Sequence, residues 1–202
     1  ESNASGDHSH AEGNQTTATG WNSHTEGDNT IASAHCSHAE GNHTTASAGT
    51  SHAEGSDTLT LGWCGHAEGQ FTTASVHCSH AEGHRAEASG SWSHAEGNGT
   101  RTLEQCSHAE GNVTVTLGSY SHAEGSYTTA SGGSSHAEGD QTTALGGCSH
   151  AEGWKTIAAN DYEHAQGRCN HNSENQIFSI GTGNSNEDRR NAVSVLEVSN
   201  NN

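Results

Sequence analysis

The chain has 202 residues, a formal net charge of -18, no proline, no methionine and 28% hydrophobic residues. Globular domains carry about 45–50% apolar residues with glycine included, so an ordinary core of large aliphatic side chains is excluded. The acidic balance argues against a nucleic-acid partner, because contacts to phosphates need an excess of Lys and Arg. The apolar runs are far shorter than the ~20 residues that cross a bilayer, so we expect no membrane insertion.

A 14-residue repeat fills the chain from its first residues to position 174. Each repeat carries Ser-His-Ala-Glu-Gly or a close variant, and its second half carries a motif such as Thr-Thr-Ala-Ser-Gly at 128–132. Self-similarity at a constant period is the signature of a solenoid. We therefore predict an all-β fold, a parallel β-roll solenoid with twelve 14-residue coils, in which two five-residue strands alternate with two glycine-containing corners. The chain begins within a repeat, so we expect it to be a piece of a longer protein.

Side chains alternate between the two faces of a strand, which predicts what fills each coil. Ser or Thr, Ala and Gly form one set, and only this small set fits the narrow interior of a two-strand coil. His and Glu then point outward from the first strand. They form a column that we call the His/Glu stripe: His10, Glu12, His24, Glu26, His38, Glu40, His52, Glu54, His66, Glu68, His80, Glu82, His94, Glu96, His108, Glu110, His122, Glu124, His136, Glu138, His150, Glu152, His164 and Gln166.

The stripe hardly varies from coil to coil, whereas the outward positions of the second strand vary freely. We infer that the stripe is buried against other copies of the chain, and we predict a homotrimer, intertwined or side by side, in which His of one chain meets Glu of the next. Buried charges are tolerated when they are paired. Protonation of the twelve column histidines would move the formal charge from -18 to -6 (-18 + 12). The alternative interpretation is a solvated polar face.

Other chemistry is weighed against the same regularity. His-x-Glu places two ligands on one face, a partial site for zinc or nickel, but no coil is distinguished as a site, so we expect no metal and no cofactor. A metal-binding β-solenoid stays open as an alternative function. Neighbouring Ser and His point to opposite faces, so we expect no nucleophile–base pair and no enzymatic activity. Five of the six cysteines lie two residues before a column His. Only Cys64 and Cys78 lie in adjacent coils within disulfide reach, and we expect free thiols.

Two surface roles remain open. Thr-x-Thr ranks on the second strand suit an ice-binding face, although Glu87, Arg101 and Val115 interrupt them. Aromatic residues at the corners suit contact with a host-surface glycan or protein, or else they only cover the corner backbone. These candidate surface contacts are Trp21, Trp63, Trp92, Tyr120, Tyr127 and Trp154.

The coil with Ser-x-Ala-x-Gly resembles the β-roll heads of trimeric autotransporter adhesins, where the two x positions are typically Val and Ile. The form with His and Glu is similar to repeat regions of phage tail fibres and related gut-bacterial surface proteins. The resemblance covers about residues 1–174 and implies a left-handed roll, a trimer and attachment to a surface. It implies an extracellular location, on a virion tail fibre or a bacterial cell surface, and a role as a shaft or head.

The period breaks after residue 174, and residues 175–202 are predicted to form a C-terminal neck or capping segment. Phe178-Ser179-Ile180-Gly181 resembles one further half-coil. The residues around 184–193 resemble the neck that follows such repeats in fibre proteins. An apolar cluster of Val193, Val195, Leu196 and Val198 suits a capping or trimer-locking strand.

Overall fold

The computed structural model describes residues 1–197, and every regular element within them is a β-strand. The fold is a parallel β-solenoid of about 13 turns with a repeat of about 14 residues, as the periodicity predicted. The chain divides into two compact units, Glu1–Thr102 and Leu103–Asn202, which are described in turn. Val198, the last residue of the predicted apolar cluster, lies outside the described residues.

In the first unit, long strands of five residues alternate with short strands of two residues. The long strands form one parallel sheet and the short strands another, and the register of 14 places His24 beside His38 and Ala18 beside Ala32. The long strands are β2 (His10–Asn14), β4 (His24–Asp28), β6 (His38–Asn42), β8 (His52–Ser56), β10 (His66–Gln70), β12 (His80–His84) and β14 (His94–Asn98). The short strands are β1 (Asn3–Ala4), β3 (Thr17–Ala18), β5 (Ile31–Ala32), β7 (Thr45–Ala46), β9 (Leu59–Thr60), β11 (Thr73–Ala74), β13 (Glu87–Ala88) and β15 (Arg101–Thr102).

The second unit continues the same alternation and then departs from it. Its long strands are β16 (His108–Asn112), β18 (His122–Ser126), β20 (His136–Asp140), β22 (His150–Trp154) and β24 (His164–Arg168). Its short strands are β17 (Val115–Thr116), β19 (Thr129–Ala130), β21 (Thr143–Ala144) and β23 (Ile157–Ala158). Strand β25 (Gln176–Thr182) pairs with β24 in parallel, and β26 (Asn191–Leu196) pairs with β25 in antiparallel orientation. Phe178 and Ile180 take the His and Glu slots, as expected of a further half-coil.

The second strand of each coil is shorter than the five residues predicted. Thr17 N donates to Thr30 O at 2.8 Å and Thr19 N donates to Ala32 O at 3.0 Å, but the next N–H, of Gly20, donates to the same Ala32 O at 3.3 Å. When two consecutive N–H groups share one carbonyl, the extended ladder has ended and the corner has begun. Regular strand geometry therefore lasts for two residues.

The corners bend largely without glycine, which contradicts the prediction. Asn22, Cys36 and Thr50 have φ values of 54–55°. Left-handed backbone costs an L-residue about 1–2 kcal/mol, and hydrogen bonds between coils offset this cost. For example, Cys36 N donates to Trp21 O at 2.8 Å. Most residue types can occupy such a corner position, because the side chain at this position points away from the coil.

The glycine of Ser-His-Ala-Glu-Gly lies in the long strand and not in the interior, so that part of the predicted interior set is wrong. Gly27 and Gly41 are exposed and have φ values of +107° and +109°. A Cβ built on Gly27 would lie 2.0 Å from the backbone O of Gly41. This glycine permits the close approach of successive coils, and it does so at a φ that other residues rarely adopt.

The interior consists of small side chains, as predicted. Ala39 and Ala46 are fully buried, and so are most of the Ser and Thr that precede the strand alanines, such as Ser37 and Thr44. The serine hydroxyl is satisfied locally, because Ser23 Oγ donates to Gly20 O at 2.6 Å. Burial of each methyl group stabilises the fold by less than about 1 kcal/mol. The backbone hydrogen bonds between successive coils therefore hold much of the roll in place.

The last coil replaces the interior serine by a buried carboxylate. Glu163 is fully buried, and its Oε2 accepts hydrogen bonds from Ala159 N, Asn160 N and Asn160 Nδ2 at 2.8–3.0 Å. Gln176 Nε2 donates to Oε1 at 2.9 Å. Arg189 ties the following segment to the coils through Lys155 O at 2.9 Å. A polar network therefore closes the interior at this end of the second unit.

The substitution Gly41→Ala tests the close coil contact. A Cβ at Gly41 would lie 2.1 Å from Gly55 O at a φ of +109°, so we expect a loss of at least about 2 kcal/mol of unfolding free energy. Gly99→Asn is the matched control, because Gly99 has a φ of 67° in a corner slot where Asn29 has 54°. Urea unfolding followed by circular dichroism measures both. Equal midpoints for the two variants would contradict this role of the strand glycine.

Candidate functional site

The His/Glu stripe lies on the outward face of the long strands, as the alternation predicted. His38, Glu40, His52 and Glu54 point away from the buried alanines, and residues of the same type lie beside each other in consecutive strands. From His38 to Glu82, these side chains keep 33–37% of their surface exposed. Neighbouring side chains already cover two-thirds of this face, so little further contact is needed to exclude water from it.

The imidazole rings form a continuous stack within each unit. In the first unit, the ring centroids of His24, His38, His52, His66 and His80 follow one another at 4.6–4.9 Å, with interplanar angles of at most 7°. In the second unit, the rings from His108 to His164 stack at 4.7–4.9 Å. This stack ends on Phe178, whose ring meets His164 edge to face at 5.6 Å. Ring spacing follows directly from strand spacing.

Each histidine faces glutamates of its own coil or of the preceding one. His38 Nε2 lies 3.4 Å from Glu40 Oε2, and His52 Nε2 lies 3.5 Å from Glu54 Oε2. Contacts to the preceding coil occur in both units: His94 Nε2 lies 3.7 Å from Glu82 Oε1, and His150 Nε2 lies 3.3 Å from Glu138 Oε1.

Many of these contacts are not hydrogen bonds. The Nε2 atoms of His38, His52, His66, His80 and His122 are buried and make no hydrogen bond. A buried polar nitrogen without a partner costs about 1–3 kcal/mol. The stripe therefore presents a row of ring nitrogens that are shielded from water and available to a further group.

Burial lowers the pKa of His52 below its ordinary 6.5, and His38 and His66 lower it further, while Glu54 and Glu40 act in the opposite direction. The same causes lower the pKa of His80, His122 and His150. At pH 7 these four rings are mainly neutral. A single chain therefore does not gain from them the compensation that imidazolium–carboxylate pairs would give to its charge.

Burial also raises the pKa of Glu82 above its ordinary 4.5, with Glu68 and Glu96 adding to the effect and His80 opposing it. Like charges stacked one strand apart repel each other, and desolvation adds to this repulsion. The carboxylate column therefore favours a cation or a proton beside it.

The stripe also contains groups of metal-binding type. In the first unit, His38, Glu40 and His52 bring one ligand atom each within 4.8 Å of one another, and the same arrangement recurs at His52–Glu54–His66 and further along the unit. From the sequence we expected no metal site, because no coil differs from the others. In the structure, successive steps of the ladder offer equivalent groups of three ligands.

Five of the six aromatic residues predicted at the corners lie there and are exposed, whereas the prediction is wrong for Trp154. Trp21, Trp63, Trp92, Tyr120 and Tyr127 are 55–61% exposed. Trp154 is half-buried at the end of β22, and Lys155 Nζ lies 4.6 Å from its ring centre. Tyr162, which is 74% exposed, was missed by the sequence argument although it occupies the corner slot of Trp92 and Tyr120.

The six cysteines are free thiols, as expected. Cys64 and Cys78 lie in adjacent coils and interact, and partial burial together with Cys64 raises the pKa of the Cys78 thiol. On the short strands, Arg101 Nε pairs with Glu87 Oε2 at 2.8 Å. This ion pair occupies two successive ranks of the face considered for ice binding and breaks its Thr pattern.

The comparison with known families agrees with this architecture. Residues 11–33 and 123–147 each match the YadA head domain repeat. No curated protein matches the chain with statistical significance. In the part of the chain that the structure describes, none of the elements is a helix of the length and apolarity that a bilayer requires.

The lowered histidine pKa values predict that the free energy of unfolding decreases as the pH is lowered. Below pH 6.5 the unfolded histidines bind protons that folded His52, His80, His122 and His150 resist, so unfolding free energy is lost as pH falls from 6.5 through their folded pKa values. The raised pKa of Glu82 acts in the opposite sense, near its ordinary 4.5.

Urea midpoints at pH 7.5, 6.0 and 5.0 measure this dependence. The variant His52→Phe/His80→Phe serves as control, because Phe178 already occupies the same slot, and it should show a shallower decline. A midpoint that is constant or rises towards pH 5.0 would contradict the burial of neutral rings.

Proposed function

Because the chain is a β-roll repeat protein that carries adhesin-head repeats, we propose that it is a segment of a surface fibre that supports attachment to a host. The adhesin-head repeats indicate a structural, non-enzymatic role and an extracellular, cell-surface location. The finer proposal is the shaft or head of a phage tail fibre, with a bacterial surface adhesin as the second setting.

The proposed assembly is a homotrimer in which the three His/Glu stripes face a common axis. The observation that carries it is the row of shielded Nε2 atoms without hydrogen-bond partners, at His38, His52 and His66 among others. The YadA head family is trimeric in general, which supports self-association. In a trimer, a Glu of one chain meets a histidine ring nitrogen that has no hydrogen-bond partner within the neighbouring chain.

The assembly explains why His and Glu recur while the short strands vary. An isologous or cyclic contact between identical chains uses the same residues from every copy, so each coil adds the same small contribution. The short strands and the corners remain outside. Their outward residues, such as Ile31, Glu87 and Arg101, differ in size and charge without affecting the contact.

Charge placed in the stripe should separate the chains. We expect His52→Glu/His66→Glu to convert a species of three chains into single chains, because two adjacent coils of each chain would then present four unpaired carboxylates to the other chains. Sedimentation velocity measures the change. The matched control is Thr45→Glu/Thr73→Glu, which adds the same charge on the short strands, where Glu87 occurs naturally.

If both variants keep the mass of the unchanged protein, the stripe is not the contact surface. If both dissociate, net charge and not the stripe controls assembly. Far-UV circular dichroism establishes that each variant keeps its β structure.

The exposed corner aromatics are proposed to contact a host-surface glycan or protein. Trp21 and Trp63 share one corner slot, and Trp92 and Tyr120 share the next. A flat, exposed ring provides a large contact area at low entropic cost, which suits stacking on a sugar face. Each copy in a fibre would present the same series, so weak contacts would be multiplied.

Replacement of the tryptophans tests this contact. We expect Trp21→Ser/Trp63→Ser/Trp92→Ser to reduce binding to immobilised oligosaccharides or bacterial envelope preparations by about tenfold or more. The control Leu61→Ser/Leu145→Ser removes side chains of similar exposure from the ends of short strands. Undiminished binding by the tryptophan variant would assign these rings to covering the corner backbone.

A further inference from the structure

Repeated three-ligand groups run along the stripe in the first unit. Each consists of a histidine, the glutamate two residues later and the histidine of the next coil, with the three ligand atoms within 4.8 Å of one another. The groups are His38–Glu40–His52, His52–Glu54–His66, His66–Glu68–His80 and His80–Glu82–His94. Strand alternation brings the first two ligands to one face, and the coil register brings the third.

The ligand atoms of a group face each other without a hydrogen bond. His38 Nε2 lies 3.4 Å from Glu40 Oε2, and His66 Nε2 lies 3.6 Å from Glu68 Oε2, yet both nitrogens are buried and unpartnered. In the tautomer that carries its proton on Nδ1, the neutral ring has a free Nε2 lone pair, so this nitrogen and a carboxylate are both acceptors. Two acceptors at this separation repel each other unless a proton or a cation lies between them.

The separations suit a metal ion. Zinc binds histidine nitrogen at about 2.0–2.1 Å and carboxylate oxygen at about 2.0–2.2 Å, so two ligands on a tetrahedral ion lie about 3.3–3.5 Å apart. The His–Glu distances within a coil, at 3.4–3.7 Å, are close to this value. The ligand atom of the second histidine lies within 4.8 Å of the other two, so its ring has to turn towards the ion in order to bind it.

The charge of the stripe also suits a metal ion. Metal binds the neutral imidazole and the ionised carboxylate. A divalent ion would relieve the repulsion along the Glu column and would offset part of the formal charge of -18.

We propose that the His/Glu stripe binds divalent transition-metal ions of the zinc type, in a row, with two histidines and one glutamate from a single chain for each ion. Imidazole and carboxylate together favour zinc, nickel or cobalt over magnesium and calcium, which prefer oxygen ligands. Neighbouring groups share a histidine, so alternate groups fill together. The stretch from His38 to His80 accommodates one ion at His38–Glu40–His52 and a second at His66–Glu68–His80.

The binding sites do not depend on the proposed trimer, because all three ligands belong to one chain. The fourth position of each ion stays open to water or to a ligand from another copy. The test therefore records metal binding and molecular mass on the same samples, so that failure of one proposal is distinguishable from failure of the other.

Titration of the purified chain with Zn²⁺ at pH 7.5, followed by calorimetry, gives the number of ions bound. We expect more than one ion per chain for Zn²⁺ and no binding of Mg²⁺ at the same concentration. Co²⁺ in place of Zn²⁺ should give visible absorption bands of nitrogen and oxygen coordination. One ion per chain or none, or equal binding of Mg²⁺, would overturn the proposal.

Two stripe variants and a control locate the ions. His52→Phe/His66→Phe removes ligands from three of the four groups and should lower the stoichiometry by at least one ion. Glu54→Gln/Glu68→Gln keeps side-chain shape and uses the residue found at Gln166, so it tests the same ladder if the first variant does not fold. It should weaken Zn²⁺ binding at least tenfold at the altered groups.

The control His43→Asn/His84→Asn removes two histidines outside the stripe and introduces the residue found in equivalent slots at Asn29 and Asn98. It should leave the stoichiometry unchanged. Loss of Zn²⁺ binding in this control, or full retention in both stripe variants, would assign the ions to the corners and contradict the proposal. Light scattering on each sample reports whether assembly changes with metal.

Discussion

The close stacking of one coil on the next is the constraint on which the rest of this protein depends. Successive backbones approach so closely at the strand glycines that a Cβ on Gly27 would lie 2.0 Å from Gly41 O. Coils at this spacing must be nearly identical in conformation, which accounts for the uninterrupted period of 14. Before the last coil, the interior is then filled by Ser, Thr and Ala, and each outward side chain lies directly beside its equivalents.

Because the coils stack in strict register, repeats of one ordinary motif form a surface with properties that no single coil has. An isolated His-x-Glu pair in water is a weak ion pair with normal pKa values. Stacked at 4.6–4.9 Å, the rings shield each other, burial and neighbouring rings lower the pKa of His52, and several Nε2 atoms lose contact with water. Such a surface favours a cation beside the ring nitrogens or, where a ring carries its proton on Nε2, an acceptor such as Glu. A row of metal ions provides the first and a second chain provides the second, and in a fibre they are compatible.

The period, the parallel coils and, apart from the strand glycine, the inward and outward sets were predictable because alternation and small-residue spacing depend on local geometry alone. The lengths of the short strands were not, since the corner begins where Gly20 N shares Ala32 O with Thr19 N, a detail of hydrogen bonding. Corner φ values of about 54° at Cys36 and Thr50 carry no residue signature. Glu163 could have been recognised, because a carboxylate in the serine slot requires buried donors. The neutral state of His52 depends on three stacked rings and could not be read from one repeat.

The native mass of the unmodified chain at neutral pH, measured by light scattering, tests the central claim most directly. That claim is that the His/Glu stripe is a contact surface between identical chains. The account predicts a mass near three times the 20.8 kDa of one chain. A mass of one chain across the accessible concentration range would leave the stripe in solvent and contradict the account.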